Sequence, residues 1–256
     1  MTSSQNKESV DMIRFLIVCI TVVGFLILAI PIMLIEWIIG KFDEDLKSRS
    51  SLKIVNGAFS LILWEAGVKV TAIGEENIPK DSPVLYVANH RSFFDILVTY
   101  VRVPRPTGYI AKKEMEKIPL LSTWMRYLHC LFMDRTDVKK GLKTILDGVE
   151  KLKSGVSICI FPEGTRNEGN ELEPLPFKEG SFKMASKSGC PIIPVAINNT
   201  ANIWEAHFPY MRKTHVIIEY GKPVFVKELP KEEQKFIGNH CQKLVEEMLK
   251  KNADLI

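Results

Sequence analysis

From Phe15 to Ile35 the chain carries no charged residue. As a helix this stretch is about 31 Å long, close to the hydrocarbon thickness of a bilayer. It exceeds the roughly 7 to 15 apolar residues of a cleaved signal peptide. Glu36 and Trp37 also follow it, where small residues would mark a cleavage site. Pro31 predicts a kink near its end, and Trp37 and Lys41 read as interface anchors. Length alone leaves open whether the segment spans the bilayer or enters one leaflet. Further on, Leu52, Val55, Phe59 and Ile62 recur at helical spacing with Lys53, Asn56 and Ser60 between them. That pattern predicts an amphipathic helix over Leu52 to Trp64, lying on a membrane or against the rest of the protein.

After Gly67 the texture changes to short apolar runs alternating with helical patterns. Seven runs read as strands: Val68 to Ile73, Val84 to Ala88, Tyr109 to Ala111, Leu131 to Met133, Ser157 to Phe161, Ile192 to Ile197 and His215 to Tyr220. Between Met133 and Ser157, a helix places Val138, Leu142, Ile145, Leu146, Val149 and Leu152 on one face, with Gly155 set to end it. Another begins at Pro230 and carries Ile237, Cys241, Leu244, Val245 and Met248. The pattern predicts an α/β fold: one domain with a largely parallel or mixed sheet of about seven strands flanked by helices, preceded by a membrane-associated helical segment. Residues 1–66 form a two-helix membrane anchor in this reading, and residues 67–256 the α/β domain. Ligands of such sheets bind beyond the carboxyl ends of the strands.

Composition narrows the picture. Among 256 residues, 46% hydrophobic and 25% charged exclude a disordered chain. Five scattered cysteines, Cys19, Cys130, Cys159, Cys190 and Cys241, without a C-x-x-C pair, indicate neither a disulfide framework nor a zinc cluster, and point to a reducing compartment. The net charge is only +4, yet Arg102 to Lys143 holds ten Lys/Arg against four Asp/Glu, so an anionic partner is expected there. No nucleic-acid partner is expected.

The polar clusters fall at strand ends. Val84 to Ala88 runs into Asn89-His90-Arg91-Ser92-Phe93-Phe94-Asp95, and Ser157 to Phe161 into Pro162-Glu163-Gly164-Thr165-Arg166. On a continuous helix, His90 and Asp95 would lie about 140° apart. With Ser92 as helix N-cap and Asp95 in the first turn, His90 stays in the loop and its imidazole can fold back onto the carboxylate, as a general base and its orienting partner. The plainer reading has Asp95 only completing a capping box with Ser92; the two oxygens of a carboxylate allow both. In the second cluster, Gly164 permits close backbone approach, Glu163 offers a hydroxyl acceptor and Arg166 a fork of donors suited to phosphate. The same residues also fit a turn with a solvated ion pair. Lys112 and Arg135 likewise follow apolar runs.

The chain has no G-x-S-x-G, G-x-G-x-x-G or G-x-x-x-x-G-K-[ST] pattern, and His90, His129, His207, His215 and His240 have no metal-ligand spacing. Without an obvious protein nucleophile, the substrate's own hydroxyl, deprotonated by His90, is the expected nucleophile.

N-H-R-S-F-F-D, F-P-E-G-T-R, the arginine ending Leu128-His129-Cys130-Leu131-Phe132-Met133-Asp134-Arg135, and Ile193-Pro194-Val195-Ala196-Ile197 resemble, in order and spacing, the four blocks of the glycerolipid acyltransferase family. Within it they are most similar to the bacterial 1-acyl-sn-glycerol-3-phosphate acyltransferases. Ala111-Lys112-Lys113-Glu114-Met115 and Phe177-Lys178-Glu179-Gly180-Ser181 resemble its intervening stretches, so the likeness covers about Val68 to Tyr220. It implies that His90 is the general base and Asp95 its partner. It also implies that Glu163, Gly164, Thr165 and Arg166 hold the glycerol phosphate with Arg135 and Lys112, and that Pro194 belongs to a block shaping a substrate pocket. The implied reaction moves an acyl group from acyl-ACP or acyl-CoA to lysophosphatidic acid at the cytoplasmic face of the cell membrane, without cofactor or metal. The alternatives are another lysophospholipid or glycerol 3-phosphate as acceptor, and a non-catalytic membrane protein that binds lipid phosphate. A metal-dependent phosphatase is disfavoured by the missing ligand spacings.

Overall fold

The computed structural model describes residues 3–256; residues 1 and 2 of the expected N-terminal segment lie outside them. Three helices come first: α1 (Ser3–Leu28), α2 (Ile30–Phe42) and α3 (Glu44–Glu65). Strand β1 (Val68–Ile73) is followed by β2 (Leu85–Ala88), α4 (Phe94–Tyr100), β3 (Thr107–Lys112), α5 (Leu121–Tyr127), β4 (Leu131–Met133) and α6 (Val138–Lys153). Then come β5 (Ser157–Ile160), α7 (Lys183–Ser188), β6 (Ile192–Asn198), β7 (Thr214–Tyr220), α8 (Lys231–Lys235) and α9 (Ile237–Asn252). The seven strands form one sheet in the order β1-β7-β6-β2-β5-β3-β4. All neighbours are parallel except β6 and β7, so the carboxyl ends of β6, β2, β5, β3 and β4 share one edge.

Period-2 alternation sends successive strand residues to opposite faces, and both faces are covered. Tyr86, Ala88, Cys159, Ile193 and Val195 join α3, α4 and α5 in one apolar layer; Leu85, Val87, Ile158, Ile160 and Ile192 join α6, α7 and α9 in the other. The central strands β2, β5 and β6 are buried throughout and read as unbroken apolar runs, while the edge strands β1 and β4 are only partly buried.

The predicted N-terminal pair of helices is three. The first breaks at Ala29, and Pro31 sits in the opening turn of α2, where its missing N–H leaves no helical bond unmade. Asp43 caps α3 by accepting from the Leu46 N–H at 2.8 Å, with Glu44 and Asp45 in the first turn. Helix α3 therefore starts eight residues before the apolar periodicity that announces it. It buries Leu52, Val55, Ile62 and Leu63 in the first layer and leaves Trp64 exposed, so it packs on the α/β domain. Helix α1 runs alongside: Phe15 stacks on Trp204, Phe25 on Trp124, and Arg14 Nη1 donates to the Met211 carbonyl at 3.0 Å. Its stretch Asn6–Leu28 is long and apolar enough to cross a membrane, with mean hydropathy 2.4, and buries only Asp11 and Val18.

The helix predicted from Pro230 breaks at Phe236. The Glu179 carboxylate accepts from the N–H groups of Gly238 at 3.0 Å and Asn239 at 3.3 Å, capping α9 from outside its own segment.

Candidate active site

Strand β2 delivers the first cluster. Asn89 fixes the strand's exit by exchanging two hydrogen bonds with Ile197, Nδ2 to its carbonyl at 2.9 Å and Oδ1 from its N–H at 2.8 Å. His90 follows in the loop, its ring stacked on Phe161 with centroids 4.1 Å apart. Its Nδ1 lies 2.8 Å from Asp95 Oδ2, and its side chain keeps 16% exposure. The same Oδ2 accepts from the N–H groups of Arg91 at 2.7 Å and Ser92 at 2.8 Å, while Oδ1 accepts from the Thr200 hydroxyl. Ser92 Oγ accepts from the Phe94 N–H at 2.9 Å. One fully buried carboxylate thus serves the Ser92 N–H and the imidazole together, but the expected capping box is only half formed: the N-cap is Phe93, and the Asp95 N–H bonds the Ser92 carbonyl at 3.3 Å instead of the Ser92 hydroxyl. With Nδ1 donating to Asp95, Nε2 holds the lone pair that can take a proton.

The turn after β5 divides the residues that sequence reading grouped together. Glu163 does not face outward as a hydroxyl acceptor. It is buried, accepting from the His90 N–H at 2.6 Å and the Leu175 N–H at 2.7 Å, because two loops here need an acceptor for their backbone. Burial pushes its carboxyl up to about 7, although these two N–H groups pull it down. Gly164 adopts φ 76°, and a Cβ there would overlap Lys178 Nζ. The Gly164 carbonyl accepts from Arg135 Nη1. Thr165 is exposed.

Arg166 turns the other way. Its guanidinium lies 4.2 Å from the Phe93 ring centroid, and Nη1 is 3.4 Å from Glu205 Oε1. It borders a cavity of about 540 Å³ shared with Arg91, Trp204, Glu205 and Phe208. Lys112 is exposed at the end of β3, its Nζ 3.7 Å from Glu114, and Lys113 pairs with Asp134 at 2.9 Å. Pro194 is buried within β6, level with Val87, and lines neither basic group. Its missing N–H falls between the bonds Gly221 N–H to Pro194 O and Val224 N–H to Ile192 O, where β7 has already ended.

Sequence reading passed over Arg91, Thr200, Lys178 and Glu205 as site residues. Arg91 stood inside the first cluster without a role. Thr200 carried a usable signal, a hydroxyl just beyond the end of β6. Glu205 carried none: its carboxylate takes the Ser92 hydroxyl and the Phe93 N–H, both at 2.8 Å, across more than a hundred residues.

A family model described as Acyltransferase matches residues 69–198, just over half the chain. The 1-acyl-sn-glycerol-3-phosphate acyltransferase of Saccharomyces cerevisiae is 32% identical over 184 residues, covering 72% of this chain and 59% of that protein. That of Borreliella burgdorferi is 34% identical over 156 residues, 61% of this chain and 62% of its own. The chain therefore matches about three-fifths of the length of these two relatives. The 1-acyl-sn-glycerol-3-phosphate acyltransferase of Salmonella typhimurium is 33% identical over 184 residues, 72% of this chain and 74% of its own. The crystal structure of the 1-acyl-sn-glycerophosphate (LPA) acyltransferase PlsC from Thermotoga maritima superimposes with a TM-score of 0.80 at 25% identity, covering 96% of both chains. The matched region contains both strand-end clusters and the sheet that presents them, and the chain belongs to the acyltransferase family.

Proposed function

We propose that the protein transfers an acyl group from acyl-CoA or acyl-ACP to the free hydroxyl of 1-acyl-sn-glycerol 3-phosphate, giving phosphatidic acid. The observation that carries this reading is the 2.8 Å contact between His90 Nδ1 and a buried carboxylate, which leaves Nε2 to take a proton at the sheet edge. The relatives' names supply the substrate. His90 takes the hydroxyl proton as that oxygen attacks the thioester carbonyl carbon. Collapse of the tetrahedral intermediate breaks the C–S bond, and the imidazolium returns the proton to the leaving thiolate. Asp95 holds the tautomer and stabilises the imidazolium. Arg166 binds the acceptor's phosphate, and Phe93, Trp204 and Phe208 offer apolar surface to the adjoining chain. A non-catalytic lipid-phosphate binder would need Arg166 and have no use for the His90–Asp95 pair.

The apolar α1 attaches the protein to the membrane, with the α/β domain on the cytoplasmic face where the acyl donor is found. Purified protein in detergent, given lysophosphatidic acid with each donor in turn, is expected to form phosphatidic acid. No product with either donor, from folded protein, overturns the reading.

A further inference from the structure

Beyond Asn199, whose φ of 73° turns the chain after β6, residues 200–207 form two short 3₁₀ turns at the sheet edge that carries His90. Thr200 and Ile203 are fully buried. Thr200 donates its hydroxyl to Asp95 Oδ1, the oxygen that the imidazole does not use. Five residues on, the Glu205 carboxylate accepts from the Ser92 hydroxyl and the Phe93 N–H, both at 2.8 Å, and its Oε1 lies 3.4 Å from Arg166 Nη1. Between the two, Trp204 stacks on Phe15 of α1 with centroids 5.7 Å apart. Helix α1 also grips the chain just beyond: the Met211 N–H donates to the Asp11 carbonyl at 3.2 Å, and the Met211 carbonyl accepts from Arg14 Nη1 at 3.0 Å. The Arg212 N–H returns to the Ile203 carbonyl at 2.8 Å and closes the loop.

We infer that Thr200 and Glu205 are positioning residues, one for Asp95 and the other for Arg166, and that α1 seats the segment carrying them through the Phe15–Trp204 stack. This rests on the acyltransferase reading, in which Asp95 orients the base and Arg166 binds the acceptor's phosphate.

The two halves of the site need different things from the segment. Asp95 is fully buried, and its Oδ2 is taken by the imidazole and two backbone N–H groups. The Thr200 hydroxyl satisfies the other oxygen and keeps the carboxylate from turning about its own axis. Glu205 acts on the acceptor side. It holds Phe93 by the backbone N–H and, through the same oxygen, the guanidinium that lies 4.2 Å from the Phe93 ring centroid. One carboxylate thus fixes the cation and its stacking partner relative to each other, and Arg166 keeps further donors for an anion. A guanidinium held before the phosphate arrives loses less rotamer freedom on binding. Attachment to a membrane asks only for apolar surface, yet α1 turns Asp11, 6% exposed, and Arg14 inward onto this stretch. Those polar contacts fix where α1 sits against the segment.

The test uses the full-length protein in detergent. Thr200→Val should lower kcat about 10-fold with acceptor KM within about twofold, and Thr200→Ser, which keeps the hydroxyl, should restore it. Glu205→Gln should do the reverse, raising acceptor KM about 10-fold with kcat and donor KM within about twofold. Phe15→Ala should raise acceptor KM about 2- to 10-fold. Because the stack acts through Glu205, the double variant Phe15→Ala/Glu205→Gln should show no larger rise than Glu205→Gln alone. A rise equal to the product of the two single effects overturns the link to α1. The same pattern of kcat and KM change in Thr200→Val and Glu205→Gln, or no rescue by serine, marks a general loss of structure and overturns the positioning roles. Amide hydrogen exchange reads the seating without turnover: peptides covering residues 92–95 should exchange faster in Phe15→Ala and Glu205→Gln, and those covering β3 should not. Unchanged exchange over 92–95 overturns the inference. Faster exchange there, in a protein that makes no phosphatidic acid, upholds the seating by α1 and overturns the assigned reaction.

Discussion

One oxygen of Asp95 accepts from three donors, and this convergence makes His90 sensitive to a single-atom change. His90→Ala removes the proposed base and is expected to lower kcat by about 10²- to 10⁴-fold with circular dichroism unchanged. Asp95→Asn should be comparably severe, because an amide can turn an N–H towards Nδ1 and reverse the tautomer. Near-normal turnover in folded His90→Ala protein would remove the mechanism. Glu163 gives a second prediction with a defined pH sign. Its carboxyl is raised from 4.5 to about 7 in the folded protein, so it favours folding below about pH 4.5 and loses that contribution as pH rises through 7. Glu163→Gln abolishes that pH dependence. It also sets an amide NH₂ against one of two backbone N–H donors, at a cost of about 1 to 3 kcal/mol. Thermal melts of both proteins at pH 5.5 and 8 should show the variant less stable at both, with the smaller difference at pH 8. At this scale the His90–Asp95 pair was legible because the cap, the loop and the carboxylate lie within six residues. The inward turn of Glu163 was not, since a carboxylate at a strand end reads the same whichever way it points.

Helix α4 has only seven residues, and its start carries the site. Ser92 Oγ both accepts from the Phe94 N–H and donates to Glu205, so Ser92→Ala removes an acceptor at the helix start and frees the carboxylate that pairs with Arg166. The expected loss is about 0.5 to 2 kcal/mol of stability. Turnover should fall by less than in His90→Ala, because Asp95 still bonds His90 directly. Thermal unfolding and steady-state kinetics of the variant check both parts, and unchanged stability would show that Glu205 alone secures the helix start. The elements themselves were largely legible: buried strands such as Ile192–Asn198 announce themselves as apolar runs, and α6 shows one apolar stripe. Their order in the sheet was not, because the insertion of β5 between β2 and β3 is decided by packing between distant segments. The break before α9 was hidden for the same reason, since its cap, Glu179, lies 59 residues from Gly238.

At the scale of the whole molecule, the three N-terminal helices divide into one that packs into the core and two that present apolar surface. The change of sequence texture after Gly67 marks where strands begin. It says nothing of what the sheet packs on. Leu52, Val55, Ile62 and Leu63 of α3 lie in the layer that holds Tyr86, Val98 and Ile193. Burying each such side chain contributes about 1.5 to 3 kcal/mol, so losing four of them approaches the entire 5 to 15 kcal/mol stability of a typical domain. Helices α1 and α2 differ: Ile20, Leu28, Leu34 and Trp37 are exposed, a surface suited to lipid. Two truncations separate the roles. A chain beginning at Asp43 keeps α3 with its cap, and is expected to stay folded, to lose liposome co-sedimentation and to act on detergent-dispersed lysophosphatidic acid. On vesicles its activity should fall sharply, because the acceptor's chain must then leave the bilayer at about 0.8 kcal/mol per exposed methylene. A chain beginning at Gly67 lacks one wall of the core and is expected to aggregate. If the Gly67 chain melts as cooperatively and as high as the full protein, α3 is an appendage to the domain. If the Asp43 chain sediments with liposomes like the full protein, attachment lies elsewhere than in α1 and α2.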